Sequence, residues 1–159
     1  MYHLYNNRIM RQKRPLSYFL LKLEEYLNDY HPGKLQDKAF TNARAEEALT
    51  VYLEAIEQGH DYLQAEELAS ETLYRELHFS AYDTIRMVLE KEFETELPEP
   101  LPEKLTPILL GSQAIREVLQ KYDLNDEFDG TPEYELLYTE LTGTIALLIE
   151  KNKLPIVEM

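Results

Sequence analysis

Four side chains near the middle of the chain are the first candidates for binding chemistry. Tyr74, His78, Tyr82 and Asp83 lie close together in sequence, around a predicted turn between two helices. Phenol, imidazole and carboxylate groups can supply the few polar contacts of a ligand pocket between helices. The alternative is structural, with both tyrosines as surface or core aromatics and Asp83 as part of a helix cap.

Two patterns have the spacing of metal ligands, and both are incomplete. Glu57 and His60 have the Glu-x-x-His spacing of di-metal helical bundles, but the motif occurs once and spans the helix-breaking Gly59. Residues 125–130 match the first half of a calcium-binding loop, but Leu136 stands where the loop needs a bidentate glutamate. We therefore predict no metal site and no cofactor.

The sequence contains no recognisable set of catalytic residues. It has no cysteine, which excludes thiolate nucleophiles and disulfides. The scattered serines and histidines show no nucleophile-elbow or triad pattern, and no glycine-rich phosphate loop is present. Adjacent acidic pairs on a helix point about 100° apart, so they do not converge on one substrate. We predict no catalytic residues and keep an enzyme only as an alternative.

The first 14 residues differ in charge from the rest of the chain. They include Arg8, Arg11, Lys13 and Arg14 and no acidic residue. We expect residues 1–14 to be a mobile basic arm outside the folded domain. Because the arm combines aromatic and basic residues, weak contact with nucleic acid through it is one alternative function.

The remainder of the chain is strongly acidic. The 159 residues include 30 acidic and 16 basic side chains, which gives a formal charge of −14, and without the arm the charge is −18. Such a surface repels phosphate backbones and attracts basic proteins. We therefore expect a basic protein partner and, apart from the arm, no nucleic acid. No secretory h-region or long apolar segment is visible, so we expect a cytoplasmic protein without membrane contact; the oligomeric state is left open.

The clearest helical periodicity lies between Asp61 and Leu97. Two amphipathic stripes are joined there by a short turn, and Ser80 and Asp83 have the spacing of a capping box at the start of the second stripe. Stripes so close in sequence predict a helical hairpin. We expect the other helices to be organised around this central hairpin.

The other segments also read as helices. Two are predicted before the hairpin, from Pro15 and from about Asp37, and three after it. Residues 96–102 are proline-rich and predict an extended connector within the domain. The C-terminal helix is apolar on nearly every side, so we expect it to be buried among the others, with Gly143 marking a close backbone crossing. The prediction is one compact all-α domain of six or seven helices over residues 15–159.

Several segments together resemble a known family. They are the runs Leu77-His78-Phe79-Ser80-Ala81-Tyr82-Asp83-Thr84, Glu96 through Leu110, and Tyr134 through Glu150. They resemble a Bacteroidales family of small all-helical proteins of unknown function, often found on conjugative elements. The resemblance implies a multihelical bacterial protein and names no activity or site.

The sequence as a whole favours a protein–protein interaction or adaptor module with an acidic surface. The family resemblance implies in addition that this module serves a mobile genetic element. Complementary charge would make its association fast and sensitive to salt. The first alternative is a small-ligand-binding protein or enzyme with a pocket near the central turn. The second is the nucleic-acid contact through the basic arm.

Overall fold

The computed structural model describes residues 15–155. Within this range the chain forms seven α-helices and two short 3-10 helices, and none of these residues is in a strand. The helices are, in chain order, α1 (Leu16–Tyr30), α2 (Lys38–Glu57), α3 (Tyr62–Leu73), α4 (Ala81–Glu92), α5 (Leu101–Leu110), α6 (Gln113–Leu119) and α7 (Pro132–Glu150). The all-α class and the number of helices predicted from the sequence are confirmed.

The chain divides into two compact units between Arg75 and Glu76. Helices α1, α2 and α3 belong to unit 1, and α4 through α7 belong to unit 2. Both helices of the predicted central hairpin exist, as α3 and α4, and they fall in different units. The single domain over residues 15–159 stays a prediction.

Unit 1 is a three-helix arrangement in which α2 packs against both α1 and α3. Large side chains of α1 pack against smaller ones of α2 and α3. The alanines of α2 and α3 allow the helices to approach closely. The fully buried hydrophobic residues are Phe19, Leu23 and Leu27 of α1, Ala45, Ala48 and Tyr52 of α2, and Ala65, Ala69 and Leu73 of α3. Leu68 of α3 is 37% exposed.

Local signals set the helix ends in unit 1. Asp37 precedes α2 and its carboxylate accepts the Phe40 N–H at 3.1 Å. The chain leaves α2 through Gly59, whose φ of +99° suits a residue without a side chain. Helix α3 begins with a reciprocal capping box, in which Asp61 accepts from the Gln64 N–H and the Gln64 side chain accepts from the Asp61 N–H.

Unit 2 has one continuous apolar core to which all four of its helices contribute. Helix α4 packs against α5 and α7, and α6 packs against α7. In α7 the residues Leu137, Leu141 and Ile145 are fully buried. The apolar second half of α7 is nevertheless not enclosed on every side, because Ala146 is exposed and Leu147 is 52% exposed.

Three local predictions in unit 2 need correction. The Ser80 hydroxyl accepts the Asp83 N–H at 2.8 Å, but the Asp83 carboxylate contacts Arg86 instead of completing a capping box. Gly143 has open space where a side chain would begin, so no backbone crosses there. The segment from Glu96 to Pro100 turns rather than extends, and α5 has already begun at Leu101.

Candidate functional site

An open cavity of about 560 Å³ lies on unit 2, beside the loop between α6 and α7. Its lining consists of Glu76, Leu124, Asn125, Asp126 and Glu127. Three of these five residues carry a carboxylate, one carries an amide and one is apolar. The volume is within the usual range of ligand sites, but the lining is much more polar than that of a typical small-molecule pocket.

Asp126 holds the two walls of the cavity together. Its carboxylate accepts the Glu76 N–H at 2.7 Å and the His78 N–H at 3.1 Å. The Nδ1 atom of His78 lies 3.2 Å from the same carboxylate. Glu76 has a φ of +67°, a left-handed conformation that is uncommon for a residue with a side chain. The contacts of Asp126 with this segment stabilise that conformation.

Asp126 keeps its negative charge at neutral pH. Partial burial raises the pKa of its carboxyl group, but the backbone N–H groups of Glu76 and His78 and the His78 ring outweigh that effect, and the pKa is lowered overall. Hydrogen bonds to the charged form of a carboxylate are the physical cause. The centre of the cavity wall is therefore a fixed carboxylate.

The rest of the loop is ordered by Asn125. Its side-chain oxygen accepts the Glu127 N–H at 3.0 Å, and its amide nitrogen donates to Asp123 at 3.2 Å. The chain then enters the 3-10 helix Phe128–Gly130, and Phe128 is buried in the core of unit 2. The loop therefore presents Glu127 to solvent from a backbone that is fixed on both sides.

The arrangement can bind a cation. Carboxylate oxygens are acceptors only, so the carboxylates of Glu76 and Glu127, beside the already engaged Asp126, suit an ammonium or guanidinium group. Leu124 adds an apolar surface against which the aliphatic stem of a lysine or arginine can pack. Because the cavity is open to solvent, a side chain presented from another protein can enter it.

The predicted site residues of unit 2 have separate roles. His78 lies at the edge of the cavity through its contact with Asp126, with a side chain 51% exposed. Asp83 forms an ion pair with Arg86 at 2.6 Å on the surface of α4. Tyr82 is half-buried in the first turn of α4. In unit 2 only His78 of the predicted set borders the cavity.

Tyr74 belongs to unit 1, where it follows the last residue of α3. Its ring lies 4.7 Å from that of Tyr26 between centroids. Burial, followed by the charges of Glu25 and Glu66, raises the pKa of its phenol. Its surroundings are therefore aromatic and negative.

No metal site is found in the part of the chain that the structure describes. Glu57 and His60 are both exposed beside the end of α2. In the calcium-like segment, Asn125 bonds to its own loop rather than facing a common centre. Nowhere within residues 15–155 do three or more His, Asp or Glu side chains come together in a way that could hold a metal ion. The arm candidates Arg8, Arg11, Lys13 and Arg14 lie outside the described residues.

Two tyrosines of unit 2 have raised pKa values, which make them poor acids or bases at neutral pH. The hydrogen bond from Tyr122 to Glu140, with some burial, raises the pKa of Tyr122 to about 12. Burial and the hydrogen bond to Glu92 raise the pKa of Tyr138 to about 12. A general acid or base works best with a pKa near the operating pH. These phenols are therefore suited to structural hydrogen bonds.

Asp126, which holds the cavity wall, was not predicted from the sequence. It occupies the second place of the calcium-like pattern, which is not a ligand position. The signal that could have pointed to it was the density of Asn, Asp and Gly in this segment, because such residues bond to nearby backbone. Its partners, however, lie 48 and 50 residues away in the chain.

Fold and site together define an all-helical protein with a carboxylate-lined surface cavity. The chain belongs to the family of the domain of unknown function DUF1896, whose model matches residues 11–154. It is also similar to the crystal structure of protein PG0816 from Porphyromonas gingivalis, with 57% sequence identity, a TM-score of 0.90, and coverage of 93% of this chain and 99% of that one. The family resemblance seen in the sequence is thereby confirmed as to fold, unknown function and a Bacteroidales relative.

Comparison with curated proteins gives no match. Among residues 15–155, no helix combines the length and apolar character needed to cross a bilayer. The cytoplasmic location and the link to mobile elements stay predictions from the sequence.

Proposed function

We propose that this protein is an interaction module that binds a basic protein partner, and that the cavity of unit 2 receives a lysine or arginine side chain of that partner. The supporting observation is that Glu76 and Glu127 both belong to the cavity lining and are both exposed. Among the described residues, no basic side chain forms an ion pair with either of them. A cation supplied by a partner would complete the site.

The charge of unit 2 supports the same partner. Its described residues, 76–155, include 17 acidic and 7 basic side chains. Two of these basic side chains already have acidic partners within the unit, since Arg86 pairs with Asp83 and Glu90, and Lys121 pairs with Glu140. The excess of negative charge is therefore displayed to solvent, where it accelerates encounter with a basic surface.

The first experiment is affinity purification of the tagged full-length protein from its own host at low salt, followed by mass spectrometry. The expected result is a basic protein that elutes as salt is raised, because exposed charge pairs are screened by salt. If that protein acts in transfer, replication or defence of a mobile element, the association suggested by the resemblance is supported. A folded protein that yields no salt-released basic partner contradicts the proposal.

The second experiment places the partner at the cavity. The double variant Glu76→Gln/Glu127→Gln removes two cavity charges, whereas Glu94→Gln/Glu96→Gln removes two exposed charges outside the cavity lining in the same unit. We expect the first variant to weaken partner binding by about tenfold, on the order of 1 kcal/mol or somewhat more. The control should weaken it much less. Equal losses in both variants would show that only net charge matters and would refute the cavity as the site.

The volume of the cavity supports one other candidate, a small cationic metabolite such as a polyamine. Free ligand of that kind should raise the thermal midpoint of the wild-type protein. It should not raise that of Glu76→Gln/Glu127→Gln. Calorimetric titration of the full-length protein with spermidine distinguishes this case from the protein partner.

A further inference from the structure

Three tyrosines form a cluster on unit 1 that is separate from the cavity of unit 2. The tyrosine cluster consists of Tyr26, Tyr30 and Tyr74. The ring of Tyr26 lies 4.8 Å from that of Tyr30 and 4.7 Å from that of Tyr74, at interplanar angles of 46° and 41°. Its rings are half-buried or, for Tyr30, 37% exposed. The cluster is therefore a packed aromatic patch whose most exposed ring is that of Tyr30.

Helix geometry fixes the positions of these rings. Tyr26 and Tyr30 are four residues apart on α1, which places them on the same face. Tyr74 is brought to them by the end of α3, where buried Arg44 donates to the Leu73 and Arg75 carbonyls at 3.3 and 2.6 Å. The patch therefore needs little ordering when a ligand binds, which reduces the entropy lost on association.

The surroundings of the cluster are negative. Burial raises the pKa of the Tyr74 phenol, and the charges of Glu25 and Glu66 raise it further. Burial disfavours a charge of either sign, whereas the charges of Glu25 and Glu66, which disfavour a phenolate here, attract a cation. Glu66 is partly compensated by Lys22 at 3.5 Å, whereas Glu25 is exposed. Charge and aromatic surface together thus suit a positively charged, planar group.

We propose that the tyrosine cluster, with Glu25 beside it, is a docking surface for an arginine of a basic protein segment. Arginine is preferred over lysine because its planar guanidinium stacks on aromatic faces while it donates to carboxylates. Lysine is a compact, strongly hydrated charge that gains less from such a surface. This inference goes beyond the proposed function, because it assigns a second surface, in the other unit, and the side chain that this surface selects.

The test measures the preference for arginine directly. Fluorescence anisotropy with the full-length protein compares a labelled oligoarginine peptide with an oligolysine peptide of the same length and charge. We expect oligoarginine to bind about threefold to fivefold more tightly at the same salt concentration, the size of one exposed cation–π contact. Equal affinities for the two peptides would overturn the proposal.

Substitutions then assign the preference to the cluster. Tyr30→Leu should remove most of it and leave oligolysine binding unchanged, whereas Tyr30→Phe, which keeps the ring, should retain it. Tyr62→Leu is the matched control, because Tyr62 is in the same unit and is 39% exposed. A loss in Tyr62→Leu as large as in Tyr30→Leu would overturn the assignment. The Glu76→Gln/Glu127→Gln variant should keep the preference, so failure of the cavity proposal and failure of this one are distinguishable.

Discussion

Replacing Arg44 by methionine should strongly destabilise unit 1. Arg44 is only 8% exposed, and one of its terminal nitrogens donates to the Arg75 carbonyl at 2.6 Å and to the Leu73 and Thr72 carbonyls at 3.3 and 3.5 Å. These carbonyls are at the end of α3, where the regular intrahelical bonds run out, although the Thr72 carbonyl also accepts the Arg75 N–H at 3.3 Å. Methionine has a similar length and no donor, so the variant leaves them without this partner.

The structure sets the size of the effect. The short, charge-assisted bond to Arg75 contributes about 1.5–3 kcal/mol, and the two longer bonds together add about 1 kcal/mol because their distances lie outside the best range. The free energy of unfolding should therefore fall by about 3 kcal/mol. With a urea m-value of about 2 kcal/mol per molar, the midpoint moves down by about 1.5 M.

Arg75→Met is the control for this experiment. Arg75 forms an exposed ion pair with Glu47 at 3.0 Å, with side chains 48% and 53% exposed. Such pairs contribute about 0–1 kcal/mol, and the substitution leaves the Arg75 carbonyl in place. Urea unfolding followed by circular dichroism compares the two variants. If Arg44→Met were no less stable than Arg75→Met, the carbonyls at the end of α3 would not depend on Arg44, and the reasoning would be refuted.

Three further predictions concern unit 2. Because folding lowers the pKa of Asp126, its charged carboxylate stabilises the fold above the ordinary pKa, and this contribution is lost as pH falls through the lowered pKa. The difference in free energy of unfolding between wild type and Asp126→Asn, measured by urea unfolding from pH 6 down to pH 3, should therefore shrink towards acid. A constant difference contradicts this. Gly143→Ala should raise the free energy of unfolding by about 0.5–1 kcal/mol, since open space surrounds this helical glycine; a thermal midpoint below that of wild type would indicate a close neighbour. Leu141→Ala, at a fully buried position, should lower the free energy of unfolding by about 2–5 kcal/mol. Leu147→Ala, at a site 52% exposed, should change it by less than about 1 kcal/mol in the same assay. Similar losses in the two variants would contradict the burial of α7.

The helices could be predicted from the sequence because their signals are local. Asp37 and Pro132 mark helix starts, and Gly59 marks an end, through bonds or backbone angles that involve only neighbouring residues. The Asp61–Gln64 capping box is equally local. The capping box predicted at Ser80 and Asp83 is only half formed, since Arg86 competes for the Asp83 carboxylate from one turn further along α4.

The wrong predictions depended on what surrounds each segment. A glycine within a helix predicts a crossing backbone at Gly143, but this position is exposed and no atom lies within 4 Å of the place where a side chain would begin. The apolar run after Thr144 suggested enclosure, yet a run of apolar residues does not show how many of its faces are covered. Hydrophobic pattern predicts which side of a helix is inward only when polar residues mark the other side.

The cavity could not be predicted because its parts are far apart in the chain. Asp126 and the segment that it holds are separated by about 50 residues, and no local periodicity encodes that pairing. Arg44 and the end of α3 are another such pair, 31 residues apart at the shortest of the three bonds. Both contacts join a charged side chain to backbone atoms, and backbone partners leave no complementary residue type in the sequence.

The difference between Asp126 and its neighbours determines how the acidic charge can act. Asp126 directs its charge to N–H groups and to His78 within unit 2, so it contributes mainly to structure. Glu76 and Glu127 face the same cavity with no such ion pair among the described residues, so theirs are the charges that the proposed partner would use. Substituting Asp126 would weaken the cavity wall and binding together. Only variants of Glu76 and Glu127 separate recognition from folding, which is why the proposed function is tested on these two residues.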